Sequence, residues 1–415
     1  MPTKFLWIAL RQLRHIWVRV VAIALLAVVA AILAQALAVY IPQDWTDQVG
    51  ATAVDEVLSI LATSMLAVTT FSLSIAVSAF AAAASSATPR ATALLQEDTT
   101  TQNVLATFLG AFLFSLVGIV ALKAGYYSES GTLVMFVATV LVILLVVIAL
   151  LRWISHLMIF GRIEDTLNRV ERATQGAIAE RLRNPWLRGR PWTEAPPEDA
   201  RAIAASETGY IQMIDMAKLS ERLRPHDGLV WVRALPGSFV HPSEVLMHYT
   251  GADLSDEDVA GLRDTIVCGP QRNYDQDPRF GLVVLAEIAS RALSPGINDP
   301  GTAIDVIGRI LRLMTVWRRD VPARIDYPNV IVPSLEVEDL MVHAFRPIAR
   351  DGAGVIEVQL RLRRALEDLR RVDPGTFAQA SDALIAYADD CVDRSNMPGA
   401  DRAALGRPTG PGQGG

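Results

Sequence analysis

The stretch SILATSMLAVTTFSLSIAVSAFAAAASSATPRA at residues 59–91 contains no charged side chain before Arg90. The charge-free run begins at Val57, and as a helix it is long enough to cross a hydrocarbon core of roughly 30 Å. Most membrane spans consist of large apolar residues, but this one is crowded with serine, threonine and alanine. It therefore predicts an integral membrane protein with a specialised face on the span at residues 57–84.

Three more apolar stretches reach the length of about 17 residues that a span requires. Residues 1–160 are therefore predicted to form an α-helical transmembrane domain of four spans, at about 20–41, 57–84, 103–123 and 132–151. In the third span, Gly110, Ser115 and Gly118 predict a face that packs closely on another helix, because small residues let membrane helices approach each other.

The first span has an alternative interpretation as a secretory signal peptide, since Ala36-Leu37-Ala38 resembles a small-residue cleavage site. The stretch before it is long and contains Trp7 and Trp17. Such a stretch is typical of an interfacial helix, whereas a signal peptide begins with a short basic segment. We therefore favour a membrane span.

Basic residues predict the orientation in an inner (plasma) membrane, because loops rich in lysine and arginine stay in the cytoplasm. The segment before the first span carries no acidic residue and four basic ones: Lys4, Arg11, Arg14 and Arg19. The segment after that span carries only acidic charges: Asp44, Asp47, Asp55 and Glu56. Four spans return the chain to its starting side, so both termini of this multi-pass protein are predicted to be cytoplasmic.

The specialised face of the second span consists of hydroxyl side chains at helical intervals of four or seven residues: Thr63, Thr70, Ser74, Ser78 and Ser85. One interpretation is a surface for close helix packing, where the hydroxyls bond back to their own helix. The other is the wall of an aqueous path, where hydroxyls replace part of the hydration of a solute. The sequence leaves both interpretations open.

Charged residues between the second and third spans form a second candidate site, at Arg90, Glu97 and Asp98. A re-entrant or interfacial turn would bring these groups to membrane depth, where charges are costly and usually functional. A plain cytoplasmic loop is the simpler expectation, because nothing in the sequence forces these residues to be buried.

Beyond residue 160 the charges are mixed as in a globular protein, which predicts an α+β cytoplasmic domain. Residues 161–203 are predicted to form an amphipathic stalk that continues the last membrane helix, and then a Pro-rich linker. Runs rich in β-forming residues around a Pro-Gly turn predict a small β-rich subdomain at residues 204–252. Helical periods predict a helical bundle at 253–395, and the Gly- and Pro-rich residues 396–415 are expected to be disordered.

The densest polar cluster of this domain combines arginines, carboxylates and an amide: Arg272, Asp275, Asp277, Arg279, Asn298 and Asp299. Such groups are able to bind a metal ion or an anion. Helix capping and salt bridging form the interpretation that we favour. Asp277 and Asn298-Asp299-Pro300 precede predicted helices, and aspartate and asparagine are common N-cap residues.

Several functional classes lack their signatures in this sequence. A net charge of −6 without a long basic run argues against a nucleic-acid partner. The two cysteines, Cys268 and Cys391, have no CxxC spacing and the six histidines form no HExxH motif, so no metal or cofactor is predicted. GxSxG, Walker and Rossmann motifs are missing, so no enzyme activity is predicted.

The chain resembles a known family over most of its length. The run SMLAVTTFSLSIAVSAFAAAASSATPRATALLQEDTTTQNVLATFLGAFLFSLVGIVAL resembles bacterial predicted membrane proteins grouped as domain of unknown function 2254. The resemblance continues in LLRWISHLMIFGRIEDTLNRVE, SETGYIQMIDMAKL and LAEIASRALSPGINDPGTAIDVIGRI. It implies a membrane location and a shared architecture, and it brings no established activity or catalytic residue.

The leading functional hypothesis is an oligomeric channel-like or transport-like protein for ions or small solutes, with a regulatory cytoplasmic domain. A homo-oligomer in the lipid bilayer would supply the several copies of a helix that a pore ring requires. The alternative hypothesis is a membrane-anchored sensor or scaffold whose soluble domain binds a partner or ligand. A third hypothesis is an unrecognised enzyme that uses the region of Asp275 and Asp299.

Overall fold

A computed structural model describes residues 51–96, 98–317 and 324–406, with isolated positions between residues 18 and 33. The chain divides into two compact units between Thr166 and Leu167. We call the described part up to Thr166 the membrane unit, and the described part from Leu167 onward the α+β unit. Each unit has its own buried core.

Long apolar helices dominate the membrane unit. Its elements are α1 (Ala51–Ser86), α2 (Pro89–Gln96), α3 (Thr99–Lys123), α4 (Glu129–Leu157) and the start of α5 (Ile163–Arg183). By length and composition, α1, α3 and α4 are able to cross a membrane. These helices contain the predicted spans at 57–84, 103–123 and 132–151. The predicted first span, at 20–41, lies outside the described residues.

Helix α3 is the most enclosed of the three long helices. Gly110, Ser115 and Gly118 are all buried along it. A Cβ atom at Gly118 would collide with Met135 of α4 and lie 3.1 Å from Leu58 of α1, so the glycine lets three helices pack together. The predicted close-packing face on the third span is confirmed.

Helix α4 presents large apolar side chains on its outer side. Leu144, Leu145 and Leu151 are each more than half exposed, whereas Met135 and Trp153 are buried on the side that faces the unit's core. An apolar surface of this kind is unfavourable in water and is typical of a helix that contacts lipid.

The last membrane helix is interrupted before the predicted stalk. Helix α4 ends at Leu157 and α5 begins at Ile163. In the turn between them Gly161 has φ +79°, a conformation that favours glycine, and a Cβ there would lie 3.0 Å from Ala79 of α1. The stalk is therefore a separate helix, because this turn ends the membrane helix.

The described part of the α+β unit contains eight short strands in two sheets. They are β1 (Gly189–Pro191), β2 (Arg201–Ala204), β3 (Gly209–Ile214), β4 (Leu229–Val232), β5 (Phe239–Val240), β6 (Val245–Thr250), β7 (Ile266–Gly269) and β8 (Tyr327–Val332). A five-stranded sheet has the order β1-β8-β4-β6-β2, with β8 parallel to both neighbours and β6 antiparallel to both. An antiparallel three-stranded sheet has the order β5-β3-β7.

The β-structure extends well beyond the predicted subdomain at 204–252. Strand β1 lies in the segment expected to be a linker, and β8 lies in the segment expected to be helical. Trp186 beside β1 packs on the sheet core, and its indole N–H donates to Ser334 Oγ at 3.2 Å. Short strands of this kind depend on pairing with distant parts of the chain, so the local sequence does not predict them.

Helices make up the rest of the α+β unit. They are α6 (Met216–Leu223), α7 (Asp256–Arg263), α8 (Pro278–Ala292), α9 (Pro300–Thr315), α10 (Val337–Asp351), α11 (Ile356–Val372), α12 (Pro374–Asp393) and α13 (Gly399–Leu405). Helices α8 to α12 pack on one another as a bundle. Large apolar side chains such as Phe345 and Phe377 fill its interior.

Helix α13 lies in the segment 396–415 that the sequence predicts to be disordered. Arg402 on this helix donates to the carbonyl oxygens of Val392 and Ser395, both at 3.3 Å. These bonds tie the helix to the end of α12, which explains the difference from the prediction. Residues 407–415 lie outside the described chain.

Candidate functional site

The predicted hydroxyl stripe lies along an exposed side of α1. Thr63, Thr70, Ser74 and Ser78 are exposed, and we call these four residues the hydroxyl face. The side chain of Ser85 lies outside the described part of the chain. The hydroxyls of Thr63, Thr70 and Ser78 donate to carbonyl oxygens one turn earlier in α1, at 2.9 to 3.0 Å. Because their polar groups are satisfied within the helix, this face tolerates contact with another helix.

The hydroxyl face lies opposite the side by which α1 packs within the described part of the chain. Val54, Leu58, Met65 and Ala83 on that side are buried. Ser74 and Ala83 are nine residues apart, which corresponds to about two and a half helical turns, so they point to opposite sides. The small, weakly polar residues are therefore not needed for packing α1 on α3 and α4.

A buried polar cluster lies at the start of α3. The carboxylate of Asp98 and Nε2 of His156 on α4 are 3.0 Å apart, and their side chains are 6% and 15% exposed. Asp98 also caps α3 by accepting a hydrogen bond from the N–H of Thr101 at 2.7 Å. Oγ1 of Thr101 lies 3.3 Å from the same imidazole nitrogen. We call Asp98, Thr101 and His156 the Asp98 cluster.

Aromatic rings enclose the imidazole of the Asp98 cluster. The ring centroid of His156 lies 4.8 Å from that of Phe160 and 5.9 Å from that of Trp153. Phe160 in turn makes an edge contact with Phe80 of α1 at 5.5 Å. Sequence reasoning missed His156, although a lone histidine at the end of an apolar span is a signal that identifies such a residue.

The segment before Asp98 differs from the plain exposed loop that the sequence favours. Residues Pro89–Gln96 form helix α2, and Leu95 and Asp98 are buried. Leu95 packs in an apolar cluster of the membrane unit, which holds the segment against the longer helices. Arg90 is exposed on α2, and Glu97 lies outside the described residues. Of the three predicted residues, Asp98 is thus the one that the structure places in a buried site.

In the α+β unit, three of the six predicted polar residues converge. Arg272 contacts Asp277 Oδ2 through two nitrogens, at 2.6 and 2.7 Å, and Nε of Arg279 lies 3.8 Å from Oδ1. The Asp277 side chain is 2% exposed. Asp277 precedes α8 as the sequence predicts, but its side chain makes no capping hydrogen bond to the helix, and its Oδ2 is held by Arg272 instead. The capping interpretation is therefore wrong for Asp277, and the salt-bridging interpretation is right.

Two further residues complete this cluster. Gly237 has φ +92°, and a Cβ atom there would collide with the carboxylate of Asp277. Arg181, which sequence reasoning missed, is buried and donates to the carbonyl oxygen of Gln276 at 3.1 Å. Burial lowers the pKa of the Arg181 guanidinium to about 10, although the charge of Asp277 opposes this shift. The cluster thus holds the loop before α8 in place by buried charge pairs.

The remaining predicted residues of this set have local roles. The carboxylate of Asp299 accepts hydrogen bonds from the N–H and hydroxyl of Thr302, at 3.1 and 2.5 Å, and so caps α9 as predicted. These bonds lower the pKa of Asp299. Asn298 adopts φ +51° just before the cap, and the N–H of Asp275 donates to Asn273 Oδ1 at 3.1 Å. In the described chain, no group of three histidine, cysteine, aspartate or glutamate side chains is arranged to hold a metal ion.

An ionic network joins α5 to α9. Arg309 is almost buried and contacts Glu171 at 2.6 Å and Asn168 at 2.6 Å, while Arg312 reaches the same Glu171 carboxylate at 2.9 Å. Burial alone would raise the pKa of Glu171, but hydrogen bonds and charge from Arg312 and Arg309 lower it below its ordinary value. We call these four residues the Glu171 latch. The two helices that it joins are far apart in sequence, so no local motif predicts the latch.

Comparison with known proteins identifies the family of this chain. The sequence pattern of a family described as predicted membrane protein, DUF2254, matches residues 14–368. The chain belongs to the DUF2254 family. The resemblance inferred from the sequence is therefore confirmed, and so is the assignment to a membrane. The family description gives no activity, so it assigns no role to the Asp98 cluster or the hydroxyl face.

Relatives of this DUF2254 chain occur in mycobacteria. Uncharacterized proteins of Mycobacterium bovis and Mycobacterium tuberculosis are each 28% identical to it over 230 residues. The alignment covers 53% of this chain and 44% of each relative, so it spans less than half the length of the mycobacterial proteins. No solved structure matches the chain.

Proposed function

We propose that this membrane protein is an oligomeric channel-like or transport-like protein in which the hydroxyl faces of several α1 helices surround a shared path for ions or small solutes. The observation that carries the proposal is the location of this face. The hydroxyl face is exposed and lies opposite the buried side of α1, so it is available for a second set of contacts. Pore rings require several copies of a helix, which a homo-oligomer supplies.

The chemistry of the hydroxyl face also supports this proposal. Serine and threonine that bond back to their own helix keep a free lone pair on the oxygen. Such oxygens offer weak ligands to a passing solute without the cost of a buried charge. Lipid contact does not require them, as the leucine-rich outer side of α4 shows.

We assign the α+β unit a regulatory role on the cytoplasmic side. Its support is architectural, since helix α5 begins in the membrane unit and continues into the α+β unit. The Glu171 latch fixes α5 on α9 soon after the helix enters the α+β unit. A rearrangement of the α+β bundle would therefore act on the helix that follows the last membrane span.

Flux through reconstituted protein tests the proposal. The purified full-length chain is placed in planar bilayers, currents are recorded in several salts, and the subunits of the same sample are counted. The double change Ser74→Leu and Ser78→Leu should abolish flux, because two leucines fill the shared path. Ser155→Leu is the matched control, since Ser155 is an exposed, back-bonded serine on α4, and it should leave flux unchanged.

Each outcome has a distinct meaning. Ion-selective currents from a defined oligomer that the Ser74 and Ser78 changes remove would support the path. Unchanged flux in the double variant would reject the assignment of the hydroxyl face. A well-folded sample without current would favour the membrane-anchored sensor or scaffold, and a monomeric sample would favour coverage of the face by residues 20–41 of the same chain.

A further inference from the structure

A groove opens on the bundle of the α+β unit between α8, α10 and α12. Its volume is about 480 Å³, within the range that small-molecule sites occupy. Val283 of α8 and Val342 and Pro347 of α10 contribute apolar walls, and Arg346 and Tyr387 contribute polar groups. This combination of apolar walls with a few polar groups is typical of a site for a small organic molecule.

Arg346 is the distinctive residue of the groove. Its guanidinium carbon lies 4.5 Å from the centre of the Tyr387 ring. Nearby arginines pair with carboxylates, as Arg350 does with Asp351 at 2.7 Å. Within the part of the chain that the structure describes, no carboxylate lies within ion-pair distance of Arg346. The Tyr387 ring therefore orients the Arg346 guanidinium, and its positive charge is available to a ligand.

A stacked guanidinium favours one class of ligand. With its central carbon over an aromatic ring, arginine still has N–H groups available, in the fork that matches a carboxylate. Arg346 contributes one positive charge that no carboxylate of the described chain neutralises, and this charge matches a ligand with one negative charge. Arg350 also lines the groove, but it is paired with Asp351, so no second unpaired arginine of the described residues is available there for a dianion such as phosphate.

We propose that this groove binds a small organic carboxylate with a flat apolar body. The carboxylate pairs with Arg346, and the body lies against Val283, Val342 and Pro347. The proposal goes beyond the conduction path, because the site belongs to the α+β unit and is measured by binding. Failure of either proposal is therefore recognisable without the other.

Titration calorimetry of the full-length protein in detergent tests this site. Benzoate is the probe, benzamide is its neutral isostere, and inorganic phosphate tests the alternative anion. Benzoate should bind, and benzamide and phosphate should bind at least about tenfold more weakly, because each lacks the charge or the shape that the groove matches. Arg346→Gln should weaken benzoate binding by at least about tenfold.

Arg370→Gln is the matched control, since Arg370 is an exposed arginine of α11 that pairs with Asp382 outside the groove. It should leave benzoate binding unchanged. An unchanged melting temperature of Arg346→Gln shows that a loss of binding comes from the lost charge. The proposal is overturned if benzoate does not bind, if benzamide binds equally well, or if Arg346→Gln binds benzoate like the natural protein.

Discussion

Asp98 connects two helices of the membrane unit through one carboxylate. It caps α3 through the N–H of Thr101 and pairs with His156 near the end of α4. Because the pair is buried, loss of one partner leaves the other partner in a place where water does not replace the lost contact. A second ion pair of the unit, between Lys123 and Asp55, spans 3.9 Å, and its side chains are 68% and 32% exposed. Surface pairs of this kind contribute little to stability.

Removal of the Asp98 carboxylate should destabilise the protein strongly. We expect Asp98→Ala to lower the free energy of unfolding by on the order of 3 kcal/mol, because it leaves His156 without its partner and α3 without its cap. Asp55→Ala is the matched control, with an expected loss below about 1 kcal/mol. Denaturation of full-length protein in detergent measures both values. Equal losses in the two variants would contradict the role of the Asp98 cluster.

The Glu171 latch should make stability depend on acid pH. Because the folded protein holds the pKa of Glu171 below its ordinary value of about 4.3, it favours the ionised form. The stabilisation is complete above the ordinary pKa and is lost as the pH falls through the lowered pKa. Glu171→Gln should therefore be less stable than the natural protein at pH 7 and lose less stability in this acid range.

The pH dependence of the melting temperature measures this effect. Glu180→Gln is the control, since Glu180 lies on the same helix and pairs with the exposed Arg183. Its curve should follow that of the natural protein. Curves of the same slope for Glu171→Gln and the natural protein between pH 5 and the acid transition would disprove the contribution of the latch.

At the scale of elements, close approach of α5 and α8 depends on one glycine. A Cβ atom at Gly281 of α8 would collide with the hydroxyl of Thr174 on α5. Thr174 is buried, and its hydroxyl already donates to the carbonyl of Val170 at 2.6 Å, so the side chain has little room to move. The two helices therefore pack more closely than they could with a side chain larger than a hydrogen atom at position 281.

A methyl group at this contact should separate the helices. We expect Gly281→Ala to lower the free energy of unfolding by about 1–3 kcal/mol, as overpacking usually does. Gly176→Ala on α5 is the matched control, because nothing lies within 4 Å of a Cβ there. It should be neutral or stabilise by up to about 1 kcal/mol through helix propensity. Chemical denaturation compares the two, and a stable Gly281→Ala would contradict the described contact.

The sequence predicts the apolar helices well, because a span is encoded by one continuous stretch. Three of the four predicted spans lie within helices of the described chain, and the small residues around Gly118 are buried as expected. Strand β1 is only three residues long and pairs with β8 from a distant part of the chain. Such pairing leaves no periodic signal in either segment, so the β-structure was underestimated.

The same difference between local and long-range contacts explains which residues of the candidate sites the sequence predicts. The hydroxyl face is visible in the sequence because its members share one helix. His156, Arg181 and Glu171 were missed because their partners come from other elements, and Arg309 lies 138 residues from Glu171. Polar residues near Asp299 were identified correctly as a cap, since capping is a local interaction.

In the whole molecule, the proposed path depends on what the exposed side of α1 contacts. The membrane unit buries one side of this helix and leaves the hydroxyl face to a further contact. We infer that this contact is a path shared between copies of the chain. The α+β unit adds the groove, where we propose that a small carboxylate binds, and the Glu171 latch.

Access of a water-soluble reagent to Ser74 is the direct test of a path along the hydroxyl face. Ser74→Cys is introduced after the two free cysteines, Cys268 and Cys391, have been replaced by alanine, and Ser155→Cys in the same background is the control. A charged thiol reagent is then added while current is recorded in planar bilayers. The account predicts that the reagent blocks the current of Ser74→Cys and leaves that of Ser155→Cys unchanged. A current that persists in modified Ser74→Cys, or equal inhibition of both variants, would contradict the path along the hydroxyl face.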